Sequence, residues 1–511
     1  MESIFQAINN VFSFVIPISD FLWEFPTNFD WYANIPILGN FSLAIILLVA
    51  TGIFFTIKTG FIQVTHFKKG LKILTKKKSD EMGISSLGAF FLSSAMRVGP
   101  GNILGVTGAI SIGGPGALFW MWLSAFFGMA TAYIEATLSQ LFKEKKDDEF
   151  VGGLPYYGQK LLGNKAWAGI ALSLMFIVYA MCCLPAQGYN VVSSVGQMGE
   201  MITGTSIPTD SIFYYVTAIV VVALTTYIAF GGIKKVSKVM NTAVPIMAVI
   251  YMVTVLVLIL LNITAVPYFF KAVFAGAFTP EAVFGGAFGT VLGQGIKRGL
   301  MSNEAGQGTI SMAAGAANTD HPCEQGCVQA IGVFLDTIVI CTLTGFVVVM
   351  AHLWTSADAT NWLALDKLPK FLTSAAALTP GGTTFDLMIT FLITISFCLF
   401  AFTCLVGFIS FSEMAASRIT KKKAFINGVR ILGICITVFG ILSSMAGIDL
   451  GNLWAISDLG NILIVFANVP LLYMGYKYAL KATTHFKKND GTKFTSDVIG
   501  TECKYWDERN K

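Results

Sequence analysis

Residues 95–106 read AMRVGPGNILGV in the middle of a long apolar run. Proline lacks the amide proton a helix needs, and glycine adds entropy cost, so Gly99-Pro100-Gly101 interrupts any helix passing through it. A broken helix leaves free carbonyls at the end of its first half and free N–H groups at the start of its second. Pro100 suits the first position of that second half, where no N–H is missed. The amides of Gly101, Asn102 and Ile103, with the positive end of the helix dipole, then favour an anion such as a carboxylate. The carbonyls from Ala95 to Val98 can hold a cation, and the Asn102 amide can orient either ligand. Arg97 puts a full charge where hydrocarbon penalises it, so it requires a partner or a task. It can pair with a buried acid such as Glu135 or Asp336. It can also face the pocket and bind a second anionic or amide group on a ligand.

The elements that position these residues belong to a membrane. Of 511 residues, 55% are hydrophobic and 12% charged, about half the charged share of soluble domains. In a bilayer the backbone satisfies itself only in helices or closed barrels, and runs of about 20 apolar residues are helical in length. Eleven stretches qualify, at about 36–57, 83–112, 114–142, 165–198, 212–232, 240–264, 281–300, 323–354, 384–413, 424–445 and 452–478. They predict an all-α polytopic membrane protein with eleven transmembrane helices. The shorter apolar piece in the first 30 residues lacks a basic n-region and predicts an interfacial helix. Basic residues are absent before Lys58 and then crowd alternate connections: 58–78, 143–165, 234–238, 297–298, 418–423 and the tail. The opposite connections hold only Lys271, Lys367 and Lys370. This predicts a multi-pass protein of the cell inner (plasma) membrane with its N-terminus outside and its C-terminus cytoplasmic. Lys76–Lys78 and Lys421–Lys423 read as orientation charges near lipid headgroups. The nine cysteines fall mostly in apolar stretches, the pattern of small core residues and not of a disulfide framework.

With the first span set apart, ten remain as two sets of five, and an odd number inverts the second set. The first set opens on Gly99-Pro100-Gly101 and the second on GGAFGTVLGQG (285–295). Interrupted helices at matching positions of inverted halves point to the central site of a secondary transporter. Gly285, Gly286, Phe288, Gly289 and Thr290 are then expected to face Gly99, Gly101 and Asn102. The expected organisation is a 1–35 extracytoplasmic or interfacial segment, a 36–57 extra helix, repeats at 83–264 and 281–480, and a 481–511 cytoplasmic tail.

GPGNILGVTGAISIGGPGALFWMW (99–122), QGIKRGLMSNEAGQG (294–308) and GVFLDTIVICTLTG (332–345) resemble the alanine/glycine:cation symporters, along about residues 36–480. The resemblance implies the leucine-transporter fold, a 5+5 inverted repeat with one extra N-terminal helix. It also implies cation-coupled uptake of small neutral amino acids, with contacts from the third and eighth core helices. Gln187 in CLPAQGYNVV (183–192) matches the family's glutamine, or else bonds a neighbouring helix. Tyr189 and Asn190 differ from the small polar residues usual there. Phe408 in LFAFTCLVGFISFSE (399–413) stands where tryptophan is usual, as a substrate wall or as packing. Thr403 and Cys404 occupy the positions of two Ser/Thr residues implied to hold sodium with the carbonyls of Ala95 and Val98. Sulfur is a poor ligand for a hard cation. The family's Thr-Val-Gly-Thr-Gly-Asn is here Arg97-Val98-Gly99-Pro100-Gly101-Asn102, and its Arg-Gln-Gly is Gly293-Gln294-Gly295. These departures bear on the substrate and the coupling ion. They add a third reading for Arg97, a fixed charge beside the sodium site that replaces the ion.

Glu135, Glu304, Asp336 and Glu413 lie in or at the ends of spans and read as inner-end structural networks ahead of proton relays. SNEAG (302–306) reads as an inner connecting helix near an inner gate. HPCEQGC (321–327) has spacing atypical for zinc. The four histidines, His66, His321, His352 and His485, sit near span ends, which argues against a membrane-embedded enzyme. No phosphate-binding loop is present, so ATP is not the energy source, and the basic residues map to membrane flanks, not to a nucleic-acid surface. A channel would lack paired broken helices. The expected function is a secondary active transporter importing an alanine- or glycine-like amino acid with a cation, Na⁺, and with no other cofactor. The alternative is a Na⁺-independent glutamine- or glutamate-type transporter, proton-coupled or exchanging, because of Arg97.

Overall fold

The computed structural model describes residues 14–35, 38–76, 82–146, 149–278, 287–355, 359–448, 450–488 and 491–510. Helix α1 (Val15–Glu24) packs on the bundle through buried Trp23. α2 (Leu43–Thr59) starts at Ser42, whose hydroxyl accepts the Ile45 amide, and stops at left-handed Gly60. A short amphipathic α3 (Phe67–Leu74) follows. α4 (Ser86–Arg97), a π-helical turn (Gly101–Gly105) and α5 (Val106–Gly113) make the first broken helix. Next come α6 (Ala117–Leu141), α7 (Ala166–Thr203), α8 (Ile212–Ala229) and α9 (Gly232–Leu261). α10 (Val266–Phe278) leads to α11 (Ala287–Asn303) and α12 (Thr309–Gly315), the second broken pair. The continuous stretch α13 (Pro322–Met350) contains a π segment, Phe334–Cys341. The remainder is α14 (Lys367–Ala377), α15 (Thr383–Ile419), α16 (Lys423–Met445), α17 (Leu450–Lys488) and α18 (Lys504–Asn510).

Among the described residues, eight helices are long and apolar enough to cross a membrane. Of the three other expected spans, 36–57 and the described part of 281–300 are helices of 17 residues each, and 83–112 is interrupted between α4 and α5. α7 and α15 pack along each other at the centre, flanked by α16, α17 and α9, while α6 bridges α2, α11 and α13. α8 is peripheral, with Ile212, Val216, Ile219, Val220 and Leu224 exposed along it. An apolar face of that extent suits lipid. Pro185 lies inside α7, and Gly440 of α16 comes so close to it that a Cβ there would overlap its carbonyl. Small residues at such crossings let backbones approach.

Three expectations change here. Lys297 and Arg298 are not loop residues: α11 continues to Asn303, so both sit inside a helix, mostly buried. SNEAG is not a connecting helix: Ser302 and Asn303 end α11, and Glu304–Gly306 lie in the non-helical turn before α12. α17 runs on to Lys488, ten residues beyond the expected span end at 478, because nothing breaks it earlier. HPCEQGC forms a helix start: His321 Nδ1 accepts the Cys323 amide at 3.1 Å, Pro322 fills the first turn, and Glu324 pairs with Lys76 at 2.9 Å.

Candidate substrate site between the broken helices

The first break is closed by its own asparagine. Asn102 Oδ1 accepts the Gly99 amide at 2.8 Å, and the Asn102 amide donates to the Gly99 carbonyl at 3.0 Å. The amides of Ile103 and Leu104 turn back on the Pro100 carbonyl. Of the three amides expected to meet an anion, those of Asn102 and Ile103 are therefore engaged, and Gly101 is the open one. A Cβ on Gly101 would meet nothing within 4 Å.

The second break lies at 304–308, while Gly289, Gly293 and Gly295 sit inside α11. Glu304 adopts a left-handed conformation (φ +56°), and Gly306 and Gly308 follow at +87°. The Glu135 carboxylate accepts the Gly306 amide at 2.9 Å, while Asn468 donates to the Gly306 carbonyl at 2.9 Å. Both breaks are tied to one acid. Asp336, in the π segment of α13, accepts from Asn102 Nδ2 (2.6 Å), the Ser302 hydroxyl (2.8 Å) and the Thr337 hydroxyl (2.7 Å). Glu135, Glu304 and Asp336 thus brace the two broken helices from within the bundle. Glu413 does form an end contact, with Arg430 at 2.5 Å.

Between the breaks lies a cavity of about 60 Å³. Arg97, Gly99, Pro100 and Gly101 line it from the first break, Ser302 and Glu304 from the second, and Tyr179 and Gln187 from α7. Cys404 and Phe408 of α15, Trp454, Ser457 and Asn461 of α17 and Arg298 of α11 line it as well. Phe408 meets Tyr179 edge-on, with ring centroids 5.9 Å apart. Gln187 is buried and its Oε1 has no hydrogen-bond partner. Glu304 Oε2 accepts the Thr309 hydroxyl at 2.7 Å, and Glu304 is the one carboxylate among the described lining residues.

Of the expected site residues, the structure therefore brings Arg97, Gly99, Gly101, Gln187, Cys404 and Phe408 together. Asn102 is wholly buried and its side chain is spent on Gly99, Asp336 and Ser302, so it is a clamp and not a lining residue. Gly289 and Thr290 line a different cavity, with Trp23, Asn40 and Lys297. Gly285 and Gly286 lie outside the described residues, as does the Phe288 side chain. The glycines of α11 serve packing: Cβ atoms on Gly295 and Gly299 would overlap Ala117 and Ser124 of α6. Glu304 was expected in an inner-end network and not at the cavity, and Tyr179 and Trp454 were not among the expected site residues. The signal for Glu304 was a Gly-x-Gly pair directly after Asn-Glu-Ala.

At the expected cation site, Cys404 Sγ donates to the carbonyls of Ala95 (3.2 Å) and Met96 (3.3 Å). Thr403 instead bonds the Phe400 carbonyl at 3.1 Å and faces Met247 Sδ at 3.6 Å. Val98 and Thr403 do not line the cavity, and the thiol places a donor where a hard cation needs oxygen. Arg97 is 2% exposed, with no carboxylate within 4 Å among the described residues. Its guanidinium binds the Gln329 carbonyl (3.0 Å), the Gln329 side chain and Ser93, and Gly332 is bare where a Cβ would strike it. The direct ion pair with Glu135 or Asp336 is thus replaced by neutral acceptors on α13 and α4. Glu304, Asp336 and Glu135 act on it only at longer range.

Two broken helices facing one small, polar-ended cavity in an apolar bundle define a membrane carrier and not an enzyme. The structure shares its fold with the crystal structure of MhsT in complex with L-phenylalanine (TM-score 0.58, 16% identity, 80% of this chain and 93% of that one). The sodium:alanine symporter family profile matches residues 30–499, and the chain belongs to that family. It is 35% identical to the amino-acid carrier protein AlsT of Bacillus subtilis, over 93% of this chain and 92% of that one. The sodium/alanine symporter AgcS of Methanococcus maripaludis is 34% identical over 87% and 95%. The "Probable sodium/glutamine symporter GlnT" of Bacillus subtilis is 34% identical over 90% and 92%. The protein is an amino-acid transporter of the membrane.

Proposed function

We propose that the protein imports a small neutral amino acid together with Na⁺ by alternating access. Ten of the eleven expected spans form five-plus-five inverted repeats, the first standing apart, and the charge pattern puts the N-terminus outside and the C-terminus in the cytoplasm. The observation that carries the substrate reading is the unpartnered Gln187 Oε1 at a cavity that also holds Glu304 and the open Gly101 backbone. The substrate ammonium donates to Gln187 and Glu304, and its carboxylate meets Gly101. At roughly 10–15 Å³ per water-sized position, the cavity takes about four to six such atoms, which suits glycine or alanine better than glutamine. Phe408 and Tyr179 wall the side chain. Opening on one side parts the contacts of Arg298 and Lys297 with Asp458; opening on the other parts Ile84 from Ala317, the β-bridge joining the two broken helices.

Alanine binding to the purified protein tests this. Gln187→Ala removes a hydrogen bond to a charged group, worth roughly 1.5–3 kcal/mol, so affinity falls about 10- to 150-fold at unchanged thermal stability. Unchanged affinity refutes the assigned cavity.

The Cys404 contacts favour a second reading for the ion, Na⁺-independent transport. Cys404→Ser replaces a soft donor with an oxygen beside the Ala95 and Met96 carbonyls. Under Na⁺ coupling, this substitution lowers the Na⁺ concentration for half-maximal uptake severalfold. Uptake by the native protein that is equal in Na⁺ and in choline favours the second reading.

A further inference from the structure

Beside the substrate cavity, toward the non-spanning helix α14, the Arg298–Lys297–Asp458 cluster forms a charged plug with a further cation, Lys367, that the transport reading does not use. Arg298 and Lys297 of α11 stand 3.7 and 3.5 Å from Asp458 Oδ2, and Asp458 Oδ1 has no partner. These separations are ion pairs without close hydrogen bonds. Lys367 of α14 reaches in beside them, its Cε 3.4 Å from where a Cβ of Gly108 would stand and its Nζ 5.9 Å from the centre of the Trp454 ring. The Trp454 indole N–H is buried without an acceptor. Among the described residues no carboxylate lies within 4 Å of Lys367.

The charges do not balance. Lys297 also faces Asp20 of α1, which leaves Arg298 and Lys367 against the single carboxylate of Asp458. One positive charge and one indole donor are therefore left over in a largely buried space. Burying an unpaired charge or donor is costly, and one small anion satisfies both. Burial, and then the like charge of Arg298, pulls the Lys367 ammonium down to about 8; Lys297 and Lys370 act in the same direction and Asp458 against it. A bound anion reverses that pull.

We propose that this plug binds a small monovalent anion, either chloride or the carboxylate of an incoming substrate, through Arg298, Lys367 and the Trp454 N–H. The proposal rests on the transporter reading; Arg298 and Trp454 also line the substrate cavity, whereas Lys367 does not, so Lys367→Gln is the variant that separates the two. The test uses the purified full-length protein at constant ionic strength, with chloride replacing sulfate and no amino acid present. A saturable rise in melting temperature with chloride, lost in Lys367→Gln, identifies chloride as the ligand. Trp454→Phe removes only the N–H and weakens the response about 2- to 12-fold, which keeps the test decisive if Lys367→Gln does not fold. If chloride has no effect, a second, weaker alanine-binding step that needs Lys367 and survives Gln187→Ala identifies the carboxylate. No chloride response and no second step overturns the proposal, as does a chloride response identical in wild type and Lys367→Gln. Alanine binding that depends on Gln187 reports the substrate cavity separately, so failure of the one reading is distinguishable from failure of the other.

Discussion

Gly101→Leu is expected to weaken amino-acid binding by more than about a hundredfold, some 2.7 kcal/mol, while the protein folds with native stability. Nothing lies within 4 Å of a Cβ at Gly101, so the new side chain has one place to go, the cavity of about 60 Å³ that it would fill. The position opens the second half of the broken helix after Pro100, where leucine is a better helix former than glycine. Gly99 gives the contrast two residues away. A Cβ there would stand 2.6 Å from Cys404 Sγ, so Gly99→Ala pushes α4 from α15 and lowers stability before it touches the substrate. Melting curves and alanine titrations on both variants check the pair. Native affinity in Gly101→Leu would place the substrate elsewhere.

The first break was legible because proline without an amide proton has one meaning inside an apolar run. The second was not, because glycine has two uses that look alike in a sequence. In α11 glycines bring the helix against Ala117 and Ser124, which is packing. At Gly306 and Gly308 they supply φ of +87°, which is a turn. Density favoured the first group; the Gly-x-Gly spacing after a polar Asn-Glu marked the second. Gln187 and Phe408 could be placed only through family resemblance, since nothing in α7 or α15 alone aims those side chains at a cavity. Lys297 and Arg298 fitted a loop by charge, yet their partner is Asp458, far along the chain. Asn102 was misread for the same reason. Local sequence shows an amide beside a break, and only the fold shows that Asp336 is waiting for it.

That last contact carries the largest expected effect on stability. Asp336 is wholly buried and accepts from Asn102, Ser302 and Thr337, so one carboxylate joins the first break, the second broken helix and α13. Asp336→Ala takes the nearest acceptor from three buried donors and removes one of the three acids that act on Arg97. Breaking a buried charged network from one side costs roughly 3–5 kcal/mol, about a hundred- to several-thousandfold in the folding equilibrium. Asp336→Asn keeps the shape and one carbonyl acceptor, and the two hydroxyls can rotate to accept from its amide. Its loss should therefore be the smaller one, a difference that lost packing volume alone does not produce with Asn102 intact. In an Asn102→Ala background the Asp336→Ala cost should shrink, because one of the donors bonded to that carboxylate is already gone. Reversible unfolding of the four variants measures this. Equal costs of Asp336→Ala with and without Asn102 would mean that the acid does not hold the break together.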